Sequence, residues 1–214
     1  MLNKLDMFTE LAAQETELLI QHSTTRTYPA NTILISEGDS TDSFYVVLEG
    51  EVKVLVSDDD GKEVILNILG PGEYFGELAL LDDEPRSATI KTMVPTKVMV
   101  ITKHDFKNCL AANSEMAYKL IEALVRQVRA LTSNVKSLAL MDVYGRVART
   151  LLDLSENVDG QMVVEQKLTH QDIADMVGAS REMVSRILKD LVSGGYITVK
   201  NKKYTINEKL PPGW

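Results

Sequence analysis

Residues 75–90 read Phe-Gly-Glu-Leu-Ala-Leu-Leu-Asp-Asp-Glu-Pro-Arg-Ser-Ala-Thr-Ile. Gly76 opens a short apolar turn, Glu77-Leu78-Ala79-Leu80-Leu81, and Asp82-Asp83-Glu84 with Pro85 closes it. A helix start leaves its first N–H groups unpaired and carries a partial positive charge, so such a turn suits an anion. Arg86 and Ser87 then enter an alternating run, Ala88-Thr89-Ile90-Lys91-Thr92. Arg86 offers a planar, two-pronged donor for phosphate oxygens, and Ser87 a hydroxyl.

Glu77 is the odd member of this set, because a carboxylate repels a phosphate. It fits only if it accepts a hydrogen bond from a neutral part of the same ligand, such as a ribose hydroxyl; phosphate plus sugar means a nucleotide. An isolated Glu and Arg would be read as an ordinary surface ion pair. The order Phe-Gly-Glu-x-Ala-Leu, five residues, then Arg-Ser-Ala-x-Ile-x-Thr is more specific, and it resembles the phosphate-binding cassette of cyclic-nucleotide-binding domains. A second stretch shares that resemblance: Leu34-Ile35-Ser36-Glu37-Gly38-Asp39, then Phe44-Tyr45-Val46-Val47-Leu48-Glu49-Gly50. Thr41 stands where that family usually has a smaller residue.

The whole chain sets limits on function. Its 214 residues suffice for two modest domains, and 44% hydrophobic with 25% charged residues is ordinary for a soluble globular protein. There is neither an apolar run of membrane-spanning length nor a signal-peptide layout at the start, so a cytoplasmic protein without membrane contact is expected. Cys109 is the only cysteine, which leaves no disulfide framework, cysteine zinc site or four-thiolate iron–sulfur cluster. Lone histidines such as His22 and His170 have no second imidazole or thiolate for a metal, and the Asp58-Asp59-Asp60-Gly61 run lacks the spaced ligands of a calcium loop. Net charge is −8, and Lys and Arg number 13 against 21 Asp and Glu over residues 1–140 but 10 against 10 over residues 141–214. The acidity belongs to the first part, and the second is free to meet DNA through a local patch. No Ser/His/Asp or paired-carboxylate constellation points to an enzyme.

Taken in order, residues 5–22 suggest one or two short helices. From Thr27 to Ile101, short β-rich runs alternate with Gly38, Gly50, Gly61, Gly70 and Gly72, which predicts an antiparallel, jelly-roll-like roll or sandwich. Asp58–Gly61 is its clearest hairpin turn. A helical segment follows over 105–141, with Ser114 as an N-cap. Within it Ile121, Leu124, Val128, Leu131, Val135 and Leu138 recur at spacings of 3, 4, 3, 4 and 3. That heptad seam calls for an identical partner, hence a homodimer. Asp142 interrupts the seam and caps a helix over Val143 to Leu154.

Residues 169–192 predict a helix-turn-helix. Thr169 caps one helix, Gly178 ends it, and Ser180 caps the next. In that second helix Val184, Ile187, Leu188 and Leu191 face inward, while Arg181, Glu182, Ser185, Arg186 and Lys189 face outward. Arg181 and Arg186 suit the O6/N7 edge of guanine and Glu182 the cytosine amino group. Thr169, Gln171, Ser180 and Lys189 suit phosphates. Residues 194–206 read as a hairpin with Lys200, Lys202 and Lys203 at its tip, a basic wing beside double-stranded DNA.

Cassette, heptad helix, Asp142 and helix-turn-helix, in this order, resemble the bacterial cyclic-AMP receptor protein (catabolite activator protein) family over essentially the whole chain. The resemblance implies an α+β architecture with a nucleotide-binding β-roll over 1–112, a dimerisation helix and hinge over 113–141, and a winged helix-turn-helix over 142–214. It implies that Gly76, Leu78 and the adjoining Ala79 supply backbone and wall contacts, Glu77 the ribose ligand, and Arg86, Ser87 and Ala88 the phosphate group. Arg181, Glu182 and Arg186 match base-reading positions for a half-site resembling TGTGA, and RNA polymerase becomes an expected partner. The family's adenine-facing arginine and Thr-Ser pair fall here on Gln127, Leu131 and Thr132. Leu131 offers no hydrogen bond to an adenine amino group, whereas Thr132 keeps a hydroxyl. Cyclic AMP is the expected ligand; relatives that answer cyclic di-GMP or need no ligand stand as alternatives, as does a nucleotide-binding subunit without a DNA role.

Overall fold

The computed structural model describes residues 23–210; the helices expected over residues 5–22, and His22, lie outside them. The chain divides into two compact units, one up to Arg129 and one from Ala130.

The first unit holds two four-stranded antiparallel sheets. One runs β1 (Ser23–Tyr28), β8 (Thr96–Thr102), β3 (Ser43–Glu49), β6 (Tyr74–Phe75), and the other β2 (Ile33–Ile35), β7 (Thr89–Thr92), β4 (Val52–Ser57), β5 (Glu63–Leu69). Side chains on a strand point alternately to its two faces, and here both faces of the first sheet are covered. From β3 and β8, Phe44, Val46, Met99 and Ile101 join Leu80, Phe106, Met116 and Leu120 in one core. Val47 and Val98 join Ile35, Val52, Leu69, Phe75 and Ile90 in the other, between the sheets. This is why β3 and β8 read as near-continuous apolar runs. Phe44 stacks on Phe106 with ring centroids 4.5 Å apart, and truncating so buried an aromatic costs about 3–5 kcal/mol. At the β4–β5 turn, the Asp58 carboxylate accepts from the Asp60 and Lys62 amides at 3.1 and 2.8 Å.

The helical segment expected over 105–141 is two helices: α2 (Lys103–Ala112) and α3 (Ser114–Leu140), preceded by the five-residue α1 (Leu78–Asp82) in the cassette. Asn113 is extended and separates them. Its Oδ1 accepts from the Met116 amide at 3.0 Å, so Asn113 rather than Ser114 caps α3. An amide side chain directly after the Ala111-Ala112 pair gave the stop signal that a continuous apolar periodicity hid.

In the second unit α4 (Val143–Asp153) starts at Asp142, whose carboxylate accepts from the Gly145 amide at 2.7 Å. The strands β9 (Glu156–Val158) and β10 (Gln161–Val164) precede α5 (His170–Val177) and α6 (Arg181–Ser193). The hairpin β11 (Ile197–Lys200) and β12 (Lys203–Ile206) completes a sheet of order β11-β12-β10-β9. Ile173, Val177, Val184, Ile187, Leu188 and Leu191 are buried, as their spacing requires. No helix among the described residues is long and apolar enough to cross a membrane.

Candidate functional site

Gly76 leads the chain from β6 into α1 at φ +88°, where a Cβ would lie 2.7 Å from Arg86 Nη1 and 3.0 Å from the Ser43 carbonyl. Only glycine combines that backbone with that approach. Glu77 follows at the helix start without capping it through its side chain, and its carbonyl takes the Leu80 and Leu81 amides at 3.1 Å each. The amides of Leu78 and Ala79 therefore precede the first intrahelical bond, as the first donors of any helix do. Asp83, at φ 63°, ends the helix and is ion-paired with Lys103 and, at 3.5 Å, Lys107. Leu78 is exposed, Ala79 buried, Ser87 exposed and Ala88 half-buried.

Arg86 is 3% exposed and Glu77 5%. The Arg86 guanidinium donates Nε–H to Thr41 Oγ1 at 2.8 Å, from Nη1 to the Gly76 carbonyl at 2.7 Å and from Nη2 to the Ser43 carbonyl at 2.6 Å. Its backbone accepts from the Gly38 amide at 2.8 Å and donates to the Asp39 carbonyl at 2.9 Å. A guanidinium carries five N–H donors, so these bonds leave one on each terminal nitrogen, which is the two-pronged arrangement a phosphate needs. Burial pushes the Glu77 carboxyl above the usual carboxylate range, opposed by a bond from its own amide and by the Arg86 charge. Burial also holds Arg86 below its ordinary value, with Tyr45, Asp42, Glu77 and Asp39 pulling the other way. Tyr74 is driven up by burial and by Glu77, against Arg126 of α3. Arg126 is thus a basic group within electrostatic reach of Tyr74 that the sequence did not single out; Gln127, Leu131 and Thr132 are exposed on α3.

In the second unit, Thr169 forms a reciprocal capping box with Asp172: the Asp172 amide donates to the Thr169 hydroxyl at 3.1 Å, and the Thr169 amide to the carboxylate at 2.9 Å. Gly178 turns the chain at φ 61°, and Ser180 Oγ accepts from the Met183 amide at 3.2 Å. Along α6, Arg181, Glu182, Arg186 and Lys189 are exposed and form no ion pair with a described residue, while Ser185 is half-buried rather than fully outward. Two residues expected at phosphates serve the fold as well. The Thr169 hydroxyl also donates to Asp172 at 2.6 Å, and the Gln171 amide donates to the buried Asp175 at 2.7 Å. The wing turns at Asn201 and Lys202, both at positive φ, and Lys203 pairs with Glu165, leaving Lys200 and Lys202 at its tip. Between wing and helices lies a cavity of ≈ 520 Å³, lined by Thr169, Gln171, Arg181 and Lys202 among others.

The heptad positions of α3 are open in the single chain: Ile121 is 56%, Val128 62% and Val135 65% exposed, with Leu131 and Leu138 also exposed. Leu124 differs, packing partly against the first unit's core.

Residues 25–113 match the cyclic nucleotide-binding domain family and residues 145–209 the Crp-like helix-turn-helix domain family. The chain is 37% identical over 195 residues to the cAMP-activated global transcriptional regulator Vfr of Pseudomonas aeruginosa, covering 88% of this chain and 91% of that one. The chain belongs to the CRP family of cyclic nucleotide-responsive transcription regulators. It is also 36% identical to the cAMP-activated regulator CRP of Pasteurella multocida, over 89% of this chain and 93% of that one. Among solved structures, the c-di-GMP responsive global regulator CLP of Xanthomonas campestris superposes with a TM-score of 0.79 at 27% identity, covering 92% of this chain and 100% of that one.

This CRP-family chain contains a further arginine that sequence reasoning passed over. Arg146, one turn into α4, donates Nε–H to the Val177 carbonyl at 2.7 Å and from Nη1 to the Met141 carbonyl at 2.8 Å. Nothing in its local sequence distinguishes it from a surface arginine; only the fold brings two helix ends to it.

Proposed function

We propose that cyclic AMP is the nucleotide that binds the cassette of a homodimer joined through the exposed α3 seam. Binding stabilises one orientation of the two DNA-reading units about Asp142, and so favours a palindromic site read by Arg181, Glu182 and Arg186. The observation that carries this reading is the buried Glu77 beside the buried, clamped Arg86 at the start of α1. A carboxylate for a ribose hydroxyl and a fork for a phosphate make a site for a molecule that carries both. The names of the curated relatives, which are activated by cyclic AMP, agree with it. In this account residues 1–112 bind ligand, 113–141 dimerise and 142–214 read DNA, with Gln127 and Thr132 turned to the base. The protein works in the cytoplasm with RNA polymerase as partner and performs no catalysis. Coupling of this kind needs tighter ligand binding to the DNA-competent state, by roughly 1–3 kcal/mol.

One observation favours a second ligand. Leu131 presents no polar atom to an adenine, and the similar regulator CLP is responsive to c-di-GMP. Calorimetric titration with cyclic AMP, cyclic GMP and cyclic di-GMP decides between them. Cyclic AMP binding in preference to the others is the expected result, and binding of cyclic di-GMP alone would overturn it.

A further inference from the structure

The loop from Gly38 to Ser43 closes on Arg86 from several sides. Its Gly38 amide and Asp39 carbonyl bond the Arg86 backbone, and its Thr41 hydroxyl and Ser43 carbonyl bond the guanidinium. Of these partners only Thr41 acts through a side chain, so it alone can be changed without changing the loop's backbone. The Gly76 and Ser43 carbonyls each take one N–H from a different terminal nitrogen. Rotation of the planar group about its long axis is resisted by the third bond, Nε to Thr41 Oγ1 at 2.8 Å. Loss of that bond leaves a donor unpaired on a side chain that is buried in the fold, and the plane must turn to find another acceptor.

We propose that Thr41 is a positioning residue for phosphate recognition: its hydroxyl fixes the plane of the Arg86 fork so that the N–H remaining on each terminal nitrogen meets the anionic oxygens of the ligand. This rests on the reading that the cassette takes a nucleotide phosphate. Thr41 touches no ligand in this account and acts only through Arg86. It lies on the exposed side of the loop, so its replacement disturbs no core.

The test is the dissociation constant for cyclic AMP in the full-length protein and in Thr41→Val and Thr41→Ser, measured well below each protein's thermal midpoint. Valine keeps the shape and removes the acceptor, whereas serine restores it. The expected result is about tenfold weaker binding in T41V and near-normal binding in T41S. A role confined to stability would lower Tm in T41V and leave its dissociation constant unchanged, and that outcome overturns the proposal. So does equal weakening in both variants, because serine keeps the acceptor that valine lacks. Failure of the unaltered protein to bind any cyclic nucleotide would instead overturn the reading of the cassette itself.

Discussion

Arg146 joins the last residue of α5, Val177, to the residue that follows α3, Met141, through a single guanidinium at 2.7 and 2.8 Å. Both acceptors are carbonyls at helix C-termini, where orphan acceptors and the negative end of the helix dipole favour a cation. Met141, the residue between α3 and the α4 cap Asp142, is thereby fixed to the first helix of the helix-turn-helix. Nearby, Arg149 Nη2 donates to Ser133 Oγ at 2.6 Å and adds a second tie between α3 and α4. Arg146→Met keeps the aliphatic stem and removes both bonds. It is expected to cost about 2 kcal/mol and to lower the thermal midpoint by roughly 4–8 °C. Calorimetric unfolding should show that loss while cyclic AMP affinity stays within about twofold, because the cassette lies in the other unit.

Glu77 carries an acid–base prediction. Burial raises its carboxyl above 4.5. In the ligand-free protein this group's stabilising contribution is fully present below its unfolded value and is lost as pH rises through the raised folded value. Above that raised value the buried carboxylate works against stability. A ribose hydroxyl bonds more strongly to the ionised form, so nucleotide affinity should fall as pH drops through that raised value. Glu77→Gln should flatten the pH profile, weaken neutral-pH binding by roughly tenfold or more, and raise the ligand-free Tm. Binding isotherms between pH 5 and pH 8, with matched melts, check all three.

The α3 seam predicts a dimer that a single charge breaks. Val135 sits 65% exposed at a heptad position. Val135→Asp would set two carboxylates against each other in a paired seam, where burial of unpaired like charge costs several kcal/mol. Light scattering should report a mass near one 23.8 kDa chain instead of two. Affinity for a palindromic site should fall by at least about a hundredfold, since the second half-site contact becomes bimolecular.

On α6, Glu182 and Lys189 are both exposed but should fail differently. Glu182→Ala removes an acceptor for a cytosine amino group and should relax discrimination at one base pair by about 1–3 kcal/mol. Lys189→Ala should weaken binding to all sequences alike and shrink the salt dependence by about one counterion. Competition binding with single-base variants at two salt concentrations separates them.

Much of this was legible in the sequence because local chemistry and global fold agree. Gly76, Asp142, Thr169, Gly178 and Ser180 each have a backbone duty that only a few residue types perform, and each performs it. The strands β3, β4, β5 and β8 announced themselves as apolar runs between glycines. The strand β1 did not, because Ser-Thr-Thr-Arg-Thr-Tyr is an edge strand with four exposed residues and little hydrophobic pattern. Two-residue β6 is too short for any periodicity. The break at Asn113 was hidden by apolar residues on both sides. Arg146 and the Thr41–Arg86 bond join positions 31 and 45 residues apart, and long-range pairing leaves no mark on a single sequence. From the sequence Arg86 reads as a ligand group or as an ion-pair partner of Glu77, whereas three of its donors hold the fold together.

The central claim is that nucleotide in the first unit changes what the second unit does. It is tested most directly by measuring affinity for a palindrome of TGTGA half-sites with and without saturating cyclic AMP, at fixed salt. The account predicts tighter DNA binding with the nucleotide, by roughly 5- to 150-fold. Equal DNA affinity in both conditions, with calorimetry showing cyclic AMP bound, would contradict it.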